Sequence, residues 1–188
     1  KSTLMKLIAK HLGVRFEFMD CSQFNNDVAS KRAIQKFFQN ISRLEEPVVI
    51  GMDEIHALPK HIQTSLLTLL NDRNFVYLDE NGVNHVIHIE DFTFIGATTD
   101  PQDVLMTVRD RCKNLTFILE PYSPEDLRKI LVNKFTARGL RVTEGALDLC
   151  VGRCRSSIRE INSFVKGMDT LAINADTDLV DEAVANEY

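Results

Sequence analysis

The sequence predicts an α/β fold, a parallel sheet with helices on both faces, followed by a small all-helical unit. Three observations in its 188 residues point there. Up to Glu120, short apolar runs with strand character alternate with segments of helical period, the pattern of a parallel sheet built from strand–helix–strand units. One run, "PVVIGM" at Pro47–Met52, is apolar almost without a break, as a strand buried on both faces must be. Beyond Glu120 only helical patterns remain, so the chain divides into a core over 1–120 and a helical unit over 121–188.

Each element has its own signal. In Lys1–Leu12 the residues Leu4, Leu7, Ile8 and Leu12 fall at helical spacing, and Gly13 suits the stop. "VRFEFMD" (Val14–Asp20) alternates like a strand. Ala33, Ile34, Phe37, Phe38, Ile41 and Leu44 mark a helix over Lys31–Leu44, ahead of the "PVVIGM" strand. Ile62–Leu70 reads as a helix, "FTFIGA" (Phe92–Ala97) as a buried strand and "LTFIL" (Leu115–Leu119) as one more. The stretch 74–91 breaks this rhythm: two β-rich arms, Phe75–Leu78 and Val83–Ile89, flank Asn81-Gly82, a strong hairpin signal. It is either an ordinary surface hairpin or a contact device. Val83, Val86, Ile87 and Ile89 offer more apolar surface than an isolated ribbon can bury, and Asp79, Glu80, Glu90 and Asp91 make the hairpin acidic. After Glu120, Ser123 suits an N-cap, Pro124 the first helical position, Glu125 and Asp126 the first turn, and Gly139 the stop. Helical stretches follow near 143–153, 157–173 and 178–186.

Composition excludes several classes. No apolar run reaches the roughly 18–20 residues of a membrane-spanning helix, and the start lacks the apolar block of a secretory signal. The balance of 22 basic and 27 acidic residues argues against a surface that coats DNA, while leaving room for a local basic patch. Cys21, Cys112, Cys150 and Cys154 show no zinc-like pairing, so an intracellular, reducing compartment is expected. The chain opens inside a motif and is expected to continue something further upstream.

The chemistry gathers at strand ends. In "VVIGMDEIHALP" two adjacent carboxylates, Asp53 and Glu54, close a buried strand. Their repulsion is a cost unless a cation or a reaction uses them; a solvated turn or a helix cap is the plain alternative. In a nucleotide hydrolase, a strand-terminal Asp serves the Mg²⁺ shell and its acidic neighbour orients the attacking water. "KST" followed at once by a helix matches the end of a phosphate-binding loop, with Lys1 for the phosphates and Ser2 for Mg²⁺. The tripeptide alone carries no weight; its position ahead of a helix does. The "FTFIGA" strand ends in Thr98-Thr99, hydroxyls placed to sense a phosphate or a water. Twelve residues past Thr99 comes Arg111, which a short intervening helix would carry towards a neighbouring subunit; Arg109 and Arg111 forming surface ion pairs is the plain reading. Arg159, near the start of a helix in the second unit, is on its own an ordinary helix arginine.

Taken together these segments resemble the AAA+ ATPases, a branch of the P-loop NTPases, and among them most closely the motors that drive branch migration of Holliday junctions. The resemblance runs over essentially the whole chain. It rests on "KSTLMKLIAKHLGV", "VVIGMDEIHAL", "FTFIGATTDP", "RDRC", "LEPYSPEDL" and "GLRVTEGALDLC…RSSIRE". It implies ATP and Mg²⁺ as cofactors, with the nucleotide in the crevice between the units. Lys1, Ser2, Thr3, Tyr122 and Arg159 would then bind ATP, with Tyr122 near the base, and Ser2 and Asp53 would hold the metal. Asp53, Glu54, Thr99, Arg111 and Arg159 would form the catalytic set. It further implies a homo-oligomeric, hexameric ring, DNA contacts through parts mostly outside this stretch, a partner protein at the 74–91 hairpin, and no membrane. The expected location is the cytoplasm of a bacterial or phage-infected cell. Three departures stand out: Cys112 follows Arg111 as in clamp loaders, Asp100 stands where those motors commonly carry a basic residue, and "RSSIRE" lacks a preceding Gly-Thr. A DNA motor, a clamp-loader-type ATPase and a nucleotide-gated scaffold with little hydrolysis are the candidate functions. The hairpin favours the first and Cys112 the second, while Glu54 and Arg111 speak against the third.

Overall fold

The computed structural model describes residues 1–24, 27–79, 81–154 and 158–187 and, of Arg159, the backbone alone. The chain separates into two compact units, Lys1–Thr116 and Phe117–Tyr188.

In the first unit α1 (Ser2–Leu12) leads through Gly13 into β1 (Arg15–Asp20), α2 (Val28–Ile41) and β2 (Val48–Asp53). After α3 (Lys60–Asp72) come the hairpin strands β3 (Asn74–Leu78) and β4 (Asn84–His88), then β5 (Phe92–Gly96) and α4 (Met106–Cys112). The helix α2 starts at Val28, ahead of the expected Lys31, because Asp27 caps it by accepting from the Ser30 N–H at 2.7 Å. The sheet has the order β1-β2-β5, parallel throughout, with Asp20 opposite Asp53 and Met52 opposite Gly96.

As the middle strand, β2 needs apolar side chains on both faces, and Val48 to Met52 are all buried. Val48, Ile50 and Met52 enter one core with Ile34, Phe38 and Ile41 of α2 and Ile62, Leu66 and Leu69 of α3. On the opposite face α1 comes so close that a Cβ on Gly51 would lie 3.1 Å from the Met5 sulfur and 2.7 Å from the Phe16 ring. Helices therefore cover both faces, as the sequence predicts. Each fully buried Val, Ile or Met contributes about 1.5–3 kcal/mol, so this strand is the natural anchor of the unit.

The hairpin forms where expected, and it divides its apolar residues. Phe75, Ile87 and Ile89 belong to the chain's own core, with Phe75 stacked on Phe38 at a centroid distance of 4.1 Å. Ile87 and Ile89 are thus withdrawn from the surface that the sequence assigns to a partner. Leu78, Val83 and Val86 stay exposed.

The strand expected at Leu115–Leu119 does not form. Lys113–Leu115 make a 3-10 turn, no described strand pairs with the residues that follow, and Leu115, Phe117, Ile118 and Leu119 are exposed. An apolar, β-prone run becomes a strand only when a neighbour supplies the other half of the hydrogen-bond ladder.

The second unit contains α5 (Pro124–Thr136), α6 (Glu144–Arg153), α7 (Ile158–Asn174) and α8 (Glu182–Glu187). Ser123 caps α5 and Thr143 caps α6. The apolar stripes Leu127, Leu131, Phe135 and Ile161, Val165, Met168, Ala172 meet in one core. The unit is not wholly helical: β6 (Arg141–Val142) and β7 (Leu179–Val180) pair in parallel, clamped by Arg141 on Asp178 at 2.7 and 3.0 Å. Two-residue strands are too short to leave a periodic signal. Among the described residues no helix is long and apolar enough to cross a membrane. All four cysteines are free thiols; burial, with Asp20 and Asp53 nearby, pushes Cys21 up to about 12, which leaves it an inert core residue.

One buried polar side chain ties the loops together. Gln63 of α3 is 1% exposed. Its Nε2 donates to the Leu58 carbonyl at 2.8 Å and the Asp103 carbonyl at 3.3 Å, and its Oε1 accepts from the Leu105 N–H at 2.7 Å. It joins the turn after β2 to the segment entering α4. Gln63→Leu roughly keeps the volume but orphans the Leu58 carbonyl and the Leu105 N–H, each worth about 1–3 kcal/mol when buried unpaired, while the Asp103 carbonyl keeps Lys60 Nζ as a donor. Urea unfolding is expected to show a loss of about 2–4 kcal/mol; an unchanged midpoint would remove Gln63 as a structural tie.

Candidate functional site

The site grows from the ends of β2 and β5. The ladder runs past the strands: the Ala97 N–H donates to the Met52 carbonyl at 2.9 Å, and the Ile55 N–H to the Ala97 carbonyl at 3.0 Å. Gly96 permits this closeness, since a Cβ there would lie 2.9 Å from Ile55 Cδ1. The chain turns sharply after Asp53. Glu54 has φ 52°, in the left-handed region that a side chain with a Cβ rarely adopts, and a 3-10 turn Ile55–Ala57 follows. Such a conformation costs on the order of 1–3 kcal/mol and persists only where the surroundings impose it. The outcome is that Asp53 and Glu54 stand beside Thr98 and Thr99.

The third contributor is the start of α1. Ser2 Oγ donates to Asp53 Oδ2 at 2.5 Å, and Lys1 Nζ lies 3.5 Å from Glu54 Oε1. Asp53 Oδ1 also accepts from the Glu54 N–H at 3.1 Å. Glu54 Oε2 accepts from the Thr99 N–H at 2.9 Å and the Thr99 hydroxyl at 2.8 Å. The two carboxylates are thus held separately, one by the Ser2 hydroxyl and the other by Thr99 and the charge of Lys1. Burial pushes the Glu54 carboxyl up, but the Thr99 hydrogen bonds, with the charges of Lys1 and His56, outweigh it and hold it below the usual range.

Lys1, Ser2, Asp53, Glu54 and Thr99 are therefore brought together. Thr3 lies next to them in the first turn of α1, whose leading N–H groups have no partner inside the helix. Arg111 sits within the last turn of α4, where the sequence suggests a helix ahead of it. Arg109 and Arg111 are both exposed, and neither forms an ion pair among the described residues, against the plain reading of the sequence. Asp100, the departure noted above, caps the 3-10 turn Pro101–Asp103 by accepting from the Gln102 N–H at 3.2 Å. Cys112 is half-buried at the end of α4 with its thiol pushed up by burial, which suits packing. Tyr122 precedes α5 in the second unit and is exposed, and Arg159 lies in the first turn of α7 with its side chain outside the described residues. Sequence reasoning missed His56. Its Nδ1 is 2.9 Å from Thr98 Oγ1 and 3.2 Å from Glu54 Oε2. The only signal was its place two residues after the glutamate in "DEIH".

The donor chemistry fits a magnesium nucleotide. Ser2 Oγ and Asp53 Oδ2 converge as two hard oxygens, and Mg²⁺ is commonly held by one or two carboxylates plus substrate phosphates. Among the described residues no group of three or more His, Cys, Asp or Glu side chains is placed to hold a metal ion. The N-terminus of an eleven-residue helix beside a lysine is a ready receptor for polyphosphate.

A parallel sheet that carries these groups at its strand ends has the fold of the P-loop nucleotide hydrolases. The family described as AAA, the ATPase family associated with various cellular activities, matches residues 1–119, and the chain belongs to it. Among named relatives, the chain is 29% identical over 191 residues to the Holliday junction branch migration complex subunit RuvB of Phytoplasma mali (strain AT), covering 98% of this chain and 54% of that protein. It is 27% identical over 192 residues to the subunit of the same name in Mycoplasmopsis pulmonis (strain UAB CTIP), covering 100% and 58%. The structure of a mutant of Thermotoga maritima RuvB matches with a TM-score of 0.80 at 20% identity, over 99% of this chain and 56% of that one, which shows a shared fold. The chain spans about half the length of the curated relatives it matches.

Proposed function

We propose that the chain is the ATP-hydrolysing core of a ring-forming motor that works on DNA, of the RuvB kind that drives branch migration at Holliday junctions. The observation that carries this is the convergence of Lys1, Ser2, Asp53, Glu54 and Thr99 from α1, the end of β2 and the end of β5. The names of the relatives favour the branch-migration role.

Lys1 and the leading N–H groups of α1, those of Ser2 and Thr3 among them, take the ATP phosphates. Ser2 and Asp53 hold Mg²⁺, which when bound offsets the charge on those phosphates. Glu54 orients a water and takes its proton as the water oxygen bonds to the γ-phosphorus and the bond to ADP breaks. Thr99, bonded to the same carboxylate, senses the γ-phosphate. Lys1 cannot serve Glu54 Oε1 and a phosphate at once, so nucleotide binding draws it away and frees that oxygen when it is needed.

Arg111 acts on the nucleotide of a neighbouring copy in a hexameric ring. Its exposure and its lack of an ion pair among the described residues support that use. DNA contacts lie mostly in other parts of the protein. On the hairpin, exposed Leu78, Val83 and Val86 meet a partner of the RuvA type. The motor works in the cytoplasm.

Two outcomes test this in the full-length protein. Glu54→Gln is expected to bind ATP but lose hydrolysis, and Arg111→Ala to lose about 10³-fold or more in rate. Mixing the two variants is expected to restore part of the activity, because some interfaces then pair an intact Glu54 with an intact Arg111. A mixture that stays inactive while both variants assemble contradicts the assignment in trans. For the hairpin, Leu78→Asp with Val86→Asp is expected to leave folding and basal ATPase intact and to abolish binding of the RuvA-type subunit in a pull-down. Undiminished binding would return the hairpin to an ordinary surface element.

A further inference from the structure

His56 belongs to the cluster but has no role in the scheme above. Its side chain is only 24% exposed, which is unusual for a residue in a surface turn. Nδ1 faces two oxygens, Thr98 Oγ1 at 2.9 Å and Glu54 Oε2 at 3.2 Å. An ionised carboxylate presents lone pairs alone, so an Nδ1 bearing its own lone pair would face Oε2 in repulsion. Nδ1 therefore carries the hydrogen, which is shared with the Thr98 hydroxyl while Oε2 stands alongside at electrostatic contact distance. The hydroxyl oxygen is itself pinned by the Asp100 N–H at 3.0 Å.

The two oxygens of Glu54 then become unequal. Oε2 receives the Thr99 N–H and the Thr99 hydroxyl, and His56 Nδ1 stands 3.2 Å from it. Oε1 has Lys1 alone at 3.5 Å, a distance weaker than a hydrogen bond. Both lone-pair directions of Oε2 are occupied, whereas Oε1 becomes vacant as soon as the lysine moves to a phosphate.

We propose that His56 is a positioning residue for the hydrolytic glutamate: its imidazole, hydrogen-bonded to Thr98 with Nδ1 3.2 Å from Oε2, helps Thr99 keep that oxygen in place and leaves Oε1 as the oxygen that takes the proton from water. The proposal rests on the reading of this site as an ATPase. It also gives Thr98 a purpose. The hydroxyl holds the imidazole beside the carboxylate, so the segment after β5 reaches Glu54 twice, directly through Thr99 and indirectly through Thr98 and His56.

The test compares His56→Phe, which keeps a ring but has no donor, with His56→Asn, whose amide N–H can take the place of Nδ1–H. Both are made in the full-length protein. His56→Phe is expected to lose roughly ten- to hundredfold in kcat, the scale of a misplaced catalytic group. Its affinity for a non-hydrolysable ATP analogue is expected to stay within about twofold, since the phosphate-binding groups are untouched. His56→Asn is expected to recover most of kcat. A merely structural histidine would lower folding stability and analogue binding alike, with no rescue by Asn. Should His56→Phe fail to fold, His56→Ala takes its place in the comparison. A second measurement is independent of turnover: ¹⁵N spectra of histidine-labelled protein, taken where the imidazole is neutral, are expected to show Nδ1 protonated and Nε2 bare. Wild-type kcat in His56→Phe, or a hydrogen on Nε2 with Nδ1 bare, overturns the proposal. A wild-type protein that hydrolyses no ATP overturns the ATPase reading instead, and the ¹⁵N spectra still decide the tautomer.

Discussion

Two backbone hydrogen bonds beyond the regular ladder, from Ala97 to Met52 and from Ile55 to Ala97, hold the ends of β2 and β5 in contact. Everything that follows chemically depends on this pairing. It places the Thr98-Thr99 segment within reach of Glu54, and it imposes on Glu54 a backbone conformation that the residue would not choose. Gly96 eases it, because a Cβ there would lie 2.9 Å from Ile55 Cδ1 and would require that side chain to shift. Behind it stands the hydrophobic burial of β2 on both faces, which fixes where the strand ends and thus where Asp53 and Glu54 emerge.

Two neighbouring carboxylates would ordinarily push apart. Here they are kept by different partners on different elements: Asp53 by the hydroxyl of Ser2, Glu54 by Thr99 and Lys1. The division suits the two tasks proposed for them. One carboxylate, with a hydroxyl beside it, offers hard oxygens to a cation. The other is kept ionised, with its two oxygens in unlike surroundings, as a base requires. The lysine that lies 3.5 Å from Glu54 is the one to which the proposed scheme gives the phosphates, so in that scheme occupancy of the site and freedom of the base are linked through a single side chain.

Much of this was legible in the sequence, for identifiable reasons. A central parallel strand must be apolar on both faces, so "PVVIGM" could hardly be anything else. Asn81-Gly82 fixed the hairpin, and Ser123-Pro124 fixed the start of α5, because both carry their geometry within a few residues. The failures share the opposite character. "LTFIL" has strand composition, but whether it pairs depends on a neighbour that composition does not reveal. Ile87 and Ile89 looked like surplus surface until Phe38 of the distant α2 was seen to share a core with them and with Phe75 of the facing hairpin arm. Gln63, the buried tie, and His56, beside Thr98 and Glu54, look like ordinary polar residues on a helix and a turn. Their roles lie in partners some 40 positions away in the chain, Asp103 and Leu105 for one and Thr98 for the other. Polar networks of that kind leave no periodic trace.

The central claim is that one cluster at the ends of β2 and β5 receives the phosphates and the metal together. The most direct measurement is a crystal structure of the full-length protein with a non-hydrolysable ATP analogue and Mg²⁺. The account predicts Lys1 Nζ withdrawn from Glu54 and placed on the phosphates, the metal touching Ser2 Oγ, Asp53 within its shell, and Glu54 Oε2 still held by Thr99. A nucleotide bound elsewhere, or a metal remote from both Ser2 and Asp53, would contradict it.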